Sequence, residues 1–144
     1  MAGEAFATLD TTSLRRVILL GPSHHRAFKG AALPARDIDS FSTPLGDLRV
    51  DRTAVESLRK LSDFGGPPEA HGPEHCLEVE LPFVQVLAPR ATIVPILVGN
   101  ATDRETARGL AKALVPLLDE GTVIVASSDF THYGDNYRWT PFRG

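Results

Sequence analysis

Three short apolar runs rich in β-branched residues constrain the fold of this chain more than any other feature. They are RVILL at 16–20, ATIVPILVG at 91–99 and TVIVASSD at 122–129. Continuous apolar runs of this length are typical of strands buried on both faces, as in parallel sheets covered by helices. The sequence therefore predicts an α/β domain with a mainly parallel sheet flanked by helices.

Two helices are predicted from their capping residues. Between the last two apolar runs, the stretch 103–121 has Asp103 as its N-cap and Gly121 as its stop, which completes a βαβ unit. A second helix is predicted over 51–62, with Asp51 as its N-cap. Three apolar residues of this second helix recur at helical spacing and predict its buried stripe: Val55, Leu58 and Leu61.

The remaining segments carry many prolines and glycines. A third helix is predicted around 77–88, and it must hold Pro82 in its first turn or be kinked there. The stretch 40–50 predicts an antiparallel or edge element around a Pro-Gly turn. Glycine and proline in the loop 63–75 predict a mobile flap, and we expect its His71 to be solvated.

The size and charge of the chain narrow the possible partners. A length of 144 residues with 42% hydrophobic content suits one domain over 1–144. A net charge of −3, without a basic run, does not favour nucleic acid or an anionic membrane, so a small-molecule or peptide ligand is expected. The single Cys76 cannot form an internal disulfide, and no apolar stretch is long enough to cross a membrane. A cytoplasmic location is therefore expected.

Polar motifs follow the first and the third apolar runs at the points where those strands end. The first run is followed by GPSHH at 21–25, and the third continues into SSDFTHYG at 127–134. In parallel sheets, ligands bind beyond the carboxyl ends of the strands, where neighbouring loops open on the same edge. We therefore expect either His24 or His25 to lie within reach of Asp129 and His132.

A third motif, EHCLE at 74–78, enters the helix that holds Pro82. The (i, i+3) spacing of His75 and Glu78 predicts that both lie on one helical face. Neutral imidazole suits iron, copper and zinc, and two histidines with one carboxylate form the set typical of non-haem Fe(II) oxygenases. The three motifs together predict a metal site at the sheet edge.

Other interpretations of the same residues stay open. A strand-end histidine is often only a hydrogen-bonded loop residue, and Ser-Ser-Asp can be a simple turn or helix cap. Glu78 can pair with a cation or cap its helix, and Cys76 can be a small buried apolar residue. A hydrolase would use Ser23, Ser127 or Ser128 as its nucleophile, but none of them lies in a Gly-x-Ser-x-Gly turn. The metal site is therefore preferred.

Five motifs in order resemble the Memo family, also called AmmeMemoRadiSam system protein B. They are LLGPSHH, TPLGDLRVD, EHCLEVELPF, IVPILVG and SSDFTHYG, and they extend over about residues 14–142. The resemblance implies a fold like that of the class III extradiol dioxygenases, with a deep histidine-lined pocket. It also implies a mononuclear redox metal, iron or copper, as the cofactor.

The resemblance assigns roles to four residues of this sequence. The first histidine of Gly-Pro-Ser-His-His, which is His24 here, matches a metal-site histidine of the family. His75 matches the histidine of the His-x-x-Glu segment, and Asp129 and His132 match the Ser-Ser-Asp-Phe-x-His segment. These last three are expected to line the same pocket as catalytic residues.

The sequence also departs from the family pattern. The Ala-Pro-His-Ala-Gly segment and the Cys-Gly-Arg segment of the family, each with a metal-site or pocket residue, are not among these 144 residues. We therefore expect the chain to be the central portion of a Memo-like domain, truncated at both ends, in which the remaining ligands bind a metal weakly. Thr131 stands where a family variant has cysteine, and Cys76 stands where serine is usual.

Two functions follow from the resemblance. One is a dioxygenase-like oxidoreductase, in which His75 or His132 carries a proton near neutral pH. The alternative is a non-catalytic module that binds copper or a peptide. The sequence leaves open whether the chain is an enzyme.

Overall fold

A four-stranded sheet forms the centre of the computed structural model, which describes residues 2–142. The three apolar runs become β1 (Arg16–Pro22), β5 (Thr92–Val98) and β6 (Thr122–Ala126). Strand β1 lies between β5 and β6 and pairs with both in parallel, while β2 (Ala31–Ala32) pairs with β5 in the antiparallel direction. The predicted mainly parallel α/β sheet is confirmed, and it is consistent with a class III extradiol dioxygenase-like fold.

The predicted antiparallel element is a separate two-stranded hairpin. It consists of β3 (Ser40–Thr43) and β4 (Gly46–Arg49). Gly46 has φ +117°, a conformation that residues with a side chain rarely adopt, so glycine is required at this turn. Val50 then forms a parallel bridge with Ile93 of β5, which joins the hairpin to the central sheet.

Within the described residues, four α-helices flank the sheet. They are α1 (Ala2–Ala7), α2 (Arg52–Arg59), α3 (Leu81–Leu87) and α4 (Arg104–Leu114). Both predicted N-caps are confirmed, because Asp51 accepts from the amide of Ala54 and Asp103 accepts from the amide of Thr106. Pro82 lies in the first turn of α3, where a missing amide proton does no harm.

Two details of the predicted helices are wrong. Helix α4 ends at Leu114 and not at Gly121, because Pro116 follows and the chain tightens into a short 3₁₀ turn. Leu61 lies beyond the end of α2 and is 44% exposed. Ala54 takes its place among the buried residues of that helix, beside the predicted Val55 and Leu58.

The Gly/Pro loop 63–75 packs against the sheet. It contains parts of two 3₁₀ helices, Ser62–Phe64 and Pro68–His71, and the amide of Gly66 donates to the carbonyl of Ala31. The expectation that His71 is solvated is wrong, because its ring is largely buried and its Nε2 lies 3.1 Å from the carbonyl oxygen of Ala32. The mobility of this loop stays a prediction.

A close approach between β1 and the segment that follows this loop positions the candidate site. Gly21 lies near the end of β1, and a Cβ atom there would collide with Cys76 and Leu77. Glycine thus allows the 74–77 segment to lie directly against the strand end. Among residues 2–142, no helix is long and apolar enough to cross a lipid bilayer.

Candidate functional site

The loops after β1 and β6 meet at one edge of the sheet. The Nε2 atom of His24 lies 3.2 Å from Oδ2 of Asp129, and Nε2 of His132 lies 3.7 Å from the same oxygen. Strands β1 and β6 are neighbours and run parallel, so their carboxyl ends place these loops side by side. The structure therefore brings His24, Asp129 and His132 together at this edge. His75, the fourth site residue suggested by the sequence, stacks on His24 from a different segment.

Glu74 organises the other side of the His24 ring, and sequence reasoning assigned it no role. Its side chain is only 2% exposed. One carboxylate oxygen accepts from the His24 amide at 2.7 Å, and the other accepts from the amides of His75 at 3.0 Å and Cys76 at 3.3 Å. The second oxygen also lies 3.0 Å from Nδ1 of His24. Glu74 thus fixes both the loop after β1 and the orientation of the imidazole ring.

These contacts determine the charge of the pair. Burial by itself would raise the pKa of Glu74, but the hydrogen bonds from His24 and from the amides of Cys76 and His75 outweigh it and lower that pKa to about 2. The hydrogen bond to Glu74 raises the pKa of His24, partial burial opposes this, and Asp129 adds to the rise. Because a carboxylate only accepts, the Nδ1 atom of His24 carries a proton, and Nε2 is the nitrogen that can bind a metal.

His75 lies next to His24 but not on a helix. Its ring stacks on that of His24 with centroids 5.9 Å apart, and its Nδ1 is 3.6 Å from a Glu74 oxygen. The prediction that His75 and Glu78 share a helical face is wrong, because the 3₁₀ turn Glu78–Glu80 begins after His75. The ring of His25 lies 6.4 Å from that of His75.

Cys76 and the serines do not form a nucleophilic site. The Cys76 thiol is buried and donates to the Pro22 carbonyl oxygen, and burial together with the negative charge of Glu74 raises its pKa to about 12. The Ser23 hydroxyl donates to the Arg26 carbonyl. Within residues 2–142, no hydrogen bond joins a histidine to the hydroxyl of Ser23 or to those of the serines at 127 and 128. This geometry gives the hydrolase interpretation no support.

Two groups of side chains are close enough to hold a metal ion. In each group, the possible ligand atoms lie within 4.8 Å of one another. The first group is His24, Glu74 and Cys76, and the second is His25, Glu74 and His75. Both depend on Glu74, whose oxygens already accept four hydrogen bonds, and the first also needs a thiol that is protonated at neutral pH. The Nε2 atom of His24, which contacts only the exposed Asp129, is therefore the better donor.

The role of Glu74 had a weak signal in the sequence. A carboxylate next to a histidine, at the end of a segment rich in glycine and proline, was interpreted as part of a helix start. Its principal partner, His24, is 50 residues away along the chain. No local pattern could show that contact.

Comparisons with known proteins identify the same family that the motifs resemble. The sequence matches the family described as Memo-like protein over residues 1–141. A MEMO1 family protein of Thermococcus onnurineus (strain NA1) is 40% identical over 134 residues, which cover 88% of this chain and 45% of that protein. Protein MEMO1 of Xenopus laevis is 35% identical over 147 residues, covering 96% of this chain and 48% of its own. The protein memo-1 homolog of Caenorhabditis elegans is 35% identical over 145 residues, covering 98% and 41%. The chain thus spans less than half the length of these curated relatives.

Proposed function

The chain belongs to the Memo family, and we propose that its strand-end cluster supplies ligands to a pocket for a mononuclear redox metal, iron or copper. The metal-binding residue is His24. Asp129 and His132, the other members of the cluster, complete the set of donors or lie next to it.

One observation carries this proposal, and it is the unequal use of the two nitrogens of His24. The Nδ1 atom contacts a buried carboxylate at 3.0 Å, while Nε2 points toward the partly exposed Asp129. Histidines that bind metals almost always donate their other ring N–H to a carboxylate, a carbonyl or water, which fixes the tautomer and raises the basicity of the ligating nitrogen. Glu74 performs this function for His24.

The donor set also fits the proposed metals. The Nε2 atom of His24 lies beside a carboxylate oxygen of Asp129, and imidazole together with carboxylate suits iron and copper. A bound iron or copper ion would supply one-electron redox chemistry and Lewis acidity. In the metal-free protein, the raised pKa of His24 means that a proton competes with the metal for Nε2.

For the catalytic form of the proposal, we assign proton transfer to the histidines beside His24. His132 contacts Asp129 and has a half-exposed side chain, so it can exchange protons with water and with a bound substrate. His75 stacks on His24 and is more exposed, and it is the second candidate for this role. The function proposed on this basis is that of a dioxygenase-like oxidoreductase acting on a small molecule.

A non-catalytic role in copper or peptide binding is the second candidate. The observation that favours it is a group of exposed aromatic side chains in the segment that follows Asp129: Phe130, Tyr133, Tyr137, Trp139 and Phe142. Aromatic surfaces of this kind are common where proteins bind one another.

We also propose a cytoplasmic location, since the single cysteine of the chain is a buried, protonated thiol.

Metal titration of matched histidine variants tests the proposal. We expect the 144-residue chain to bind Fe(II) under argon or Cu(I), as measured by calorimetry, and His24→Ala to bind at least about tenfold more weakly. His25→Ala is the matched control, since the neighbouring histidine does not contact Asp129, and its affinity should change by less than about twofold. The proposal is wrong if the chain binds neither metal, or if His25→Ala loses as much affinity as His24→Ala.

Oxygen uptake distinguishes the two functions. A dioxygenase-like enzyme loaded with Fe(II) should consume oxygen with catechol-type substrates, and His132→Ala should lower the rate by about 100-fold while keeping the metal. A copper-binding module should instead bind Cu(I) tightly and suppress its oxidation without turnover. Circular dichroism of each variant checks that the fold is kept.

A further inference from the structure

A two-lobed cleft lies between the β3–β4 hairpin and the Gly/Pro loop, outside the strand-end cluster of His24, Asp129 and His132. The smaller lobe has a volume of about 280 Å³ and the larger about 440 Å³. Both lobes are lined by Phe41 and Ser42 of the hairpin and by His71 and Gly72 of the loop, so they adjoin each other. Neither lobe is lined by His24, Asp129 or His132, although Glu74, which orients the His24 ring, lies in the wall of the smaller lobe. These volumes are in the range typical of sites for small molecules.

The two lobes differ in chemistry. The smaller lobe has carboxylates in its wall, from Glu74 and Glu78, beside the ring of His71. Most of the wall of the larger lobe is apolar and includes Pro34, Ala35 and Ile38. A ligand that fills both lobes therefore has a polar end and an apolar body.

The charge of the cleft is negative. Besides His71, every ionisable residue in the walls of the two lobes is a glutamate: Glu69, Glu74 and Glu78. Arg59 acts electrostatically on His71, but its guanidinium binds Glu56 at 3.0 Å and the Pro34 carbonyl oxygen at 2.6 Å, and its side chain is only 15% exposed. Arg59 is therefore already paired and does not line the cleft. The carboxylate of Glu78 makes no hydrogen bond or ion pair with the other residues described by the structure.

His71 adds a hydrogen-bond acceptor at the junction of the lobes. Its Nε2 bonds to the carbonyl of Ala32, which can only accept, so the proton of the neutral ring lies on Nε2 and Nδ1 has a free lone pair. Burial lowers the pKa of His71 and keeps the ring neutral. No group in residues 2–142 donates to Nδ1. The ring of Phe41 lies nearly edge-on to the imidazole, with centroids 6.3 Å apart.

We propose that this cleft binds a small organic cation, a primary amine with an apolar body. The ammonium group occupies the smaller lobe, where Glu78 and the free nitrogen of His71 accept its protons and the negative charge of Glu74 adds electrostatic attraction. The body lies in the larger lobe against Phe41 and Ile38. Ammonium groups also interact favourably with aromatic faces, which adds to the affinity at Phe41. The proposal does not rest on the proposed metal function, although the two sites share Glu74.

Three ligands of similar shape test the charge preference. The probes are phenethylamine, the neutral 2-phenylethanol and the anionic 3-phenylpropanoate, each titrated into the chelator-treated chain while backbone amide resonances are recorded. We expect phenethylamine to shift the amides of Ser42 and Gly72 and not that of Asp129. The alcohol should bind about tenfold more weakly than the amine, because the glutamates of the cleft attract only the amine electrostatically, and the acid should not bind.

Two glutamates of one turn provide the matched pair of variants. Glu78 lines the smaller lobe, whereas Glu80 belongs to the same 3₁₀ turn and lines neither lobe. We expect Glu78→Gln to weaken the binding of phenethylamine about fivefold and Glu80→Gln to change it by less than about 1.5-fold. Equal binding of amine and alcohol, binding of the acid, or equal effects of the two variants would overturn the proposal. Amine binding is measured on the chelator-treated chain, so a failure here is distinguishable from a failure of the metal site.

Discussion

The two sides of the His24 ring are built in opposite ways. On the Nδ1 side, Glu74 is 2% exposed and accepts four hydrogen bonds, three of them from backbone amides. On the Nε2 side, Asp129 is 58% exposed and its contacts to His24 and His132 are 3.2 and 3.7 Å long. The comparison shows that one side of the His24 ring belongs to the folded core, while the other is open to solvent.

The physical reason for the difference is the cost of burying charge. A carboxylate removed from water must be compensated by hydrogen bonds, and the segment pressed against Gly21 supplies the amides that Glu74 requires. Asp129 follows β6, which pairs only with β1 among the described strands, and water still reaches its carboxylate. The rigid side can therefore orient His24 while the exposed side exchanges partners.

The largest expected effect is the loss of stability on removal of the buried carboxylate. Glu74→Ala leaves three backbone amides and the His24 ring without their acceptor, and we expect the free energy of unfolding to fall by about 4 kcal/mol. Urea denaturation measures this change. Glu78→Ala, a few residues away and exposed, is the control and should stay within about 0.5 kcal/mol of the parent chain. Similar losses for both variants would contradict the comparison.

The next effect is the acid sensitivity that Glu74 gives to the fold. Its pKa falls from 4.5 in the unfolded chain to about 2 in the folded protein. Its contribution to stability is therefore fully present above pH 4.5 and is lost as the pH falls toward 2. Between these limits the metal-free parent chain should lose about 3 kcal/mol more than Glu74→Gln. The measurement is urea denaturation at a series of pH values, and parallel curves for the two proteins would show that the carboxylate does not carry this effect.

The raised pKa of His24 makes the stability of the fold depend on pH in the opposite direction. Its contribution is fully present below pH 6.5 and is lost as the pH rises through the raised value. The two groups together predict that this part of the fold is most stable at mildly acidic pH.

The smallest effect is expected on the exposed side of His24. Asp129→Ala removes two contacts of a solvent-exposed carboxylate and should change the free energy of unfolding by less than about 0.5 kcal/mol. Asp103→Ala is an informative control, because it removes the N-cap of α4 and should destabilise the chain measurably. If Asp129→Ala destabilises the chain more than Asp103→Ala, the two sides of His24 are not as different as their exposure indicates.

Much of the fold could be predicted because its signals are local. Asp51 and Asp103 cap their helices through amides only three residues away. The three apolar runs became the three parallel strands for a similar reason, since burial on both faces requires a continuous apolar sequence. The prediction that α4 ends at Gly121 is wrong because Pro116, which lies nearer the helix, ends it first.

The site was predicted in part, and the missing part is not local. The meeting of His24 and Asp129 followed from one topological rule for parallel strands. The burial of His71 and the contacts of Glu74 depend on segments far away in the sequence, namely β2 for the first and the loop after β1 for the second. Only packing brings these segments together.

The sequence alone determined the class of the fold, the capped helices, the hairpin and the edge of the sheet where the histidines gather. Each follows from short-range sterics, from hydrogen bonds within one turn or from the period of apolar residues. The tertiary structure alone decided that Glu74 holds His24, that Cys76 is an inert thiol and that a negative cleft lies under the hairpin. Those properties depend on burial and on contacts across 50 residues of chain, which no local pattern specifies.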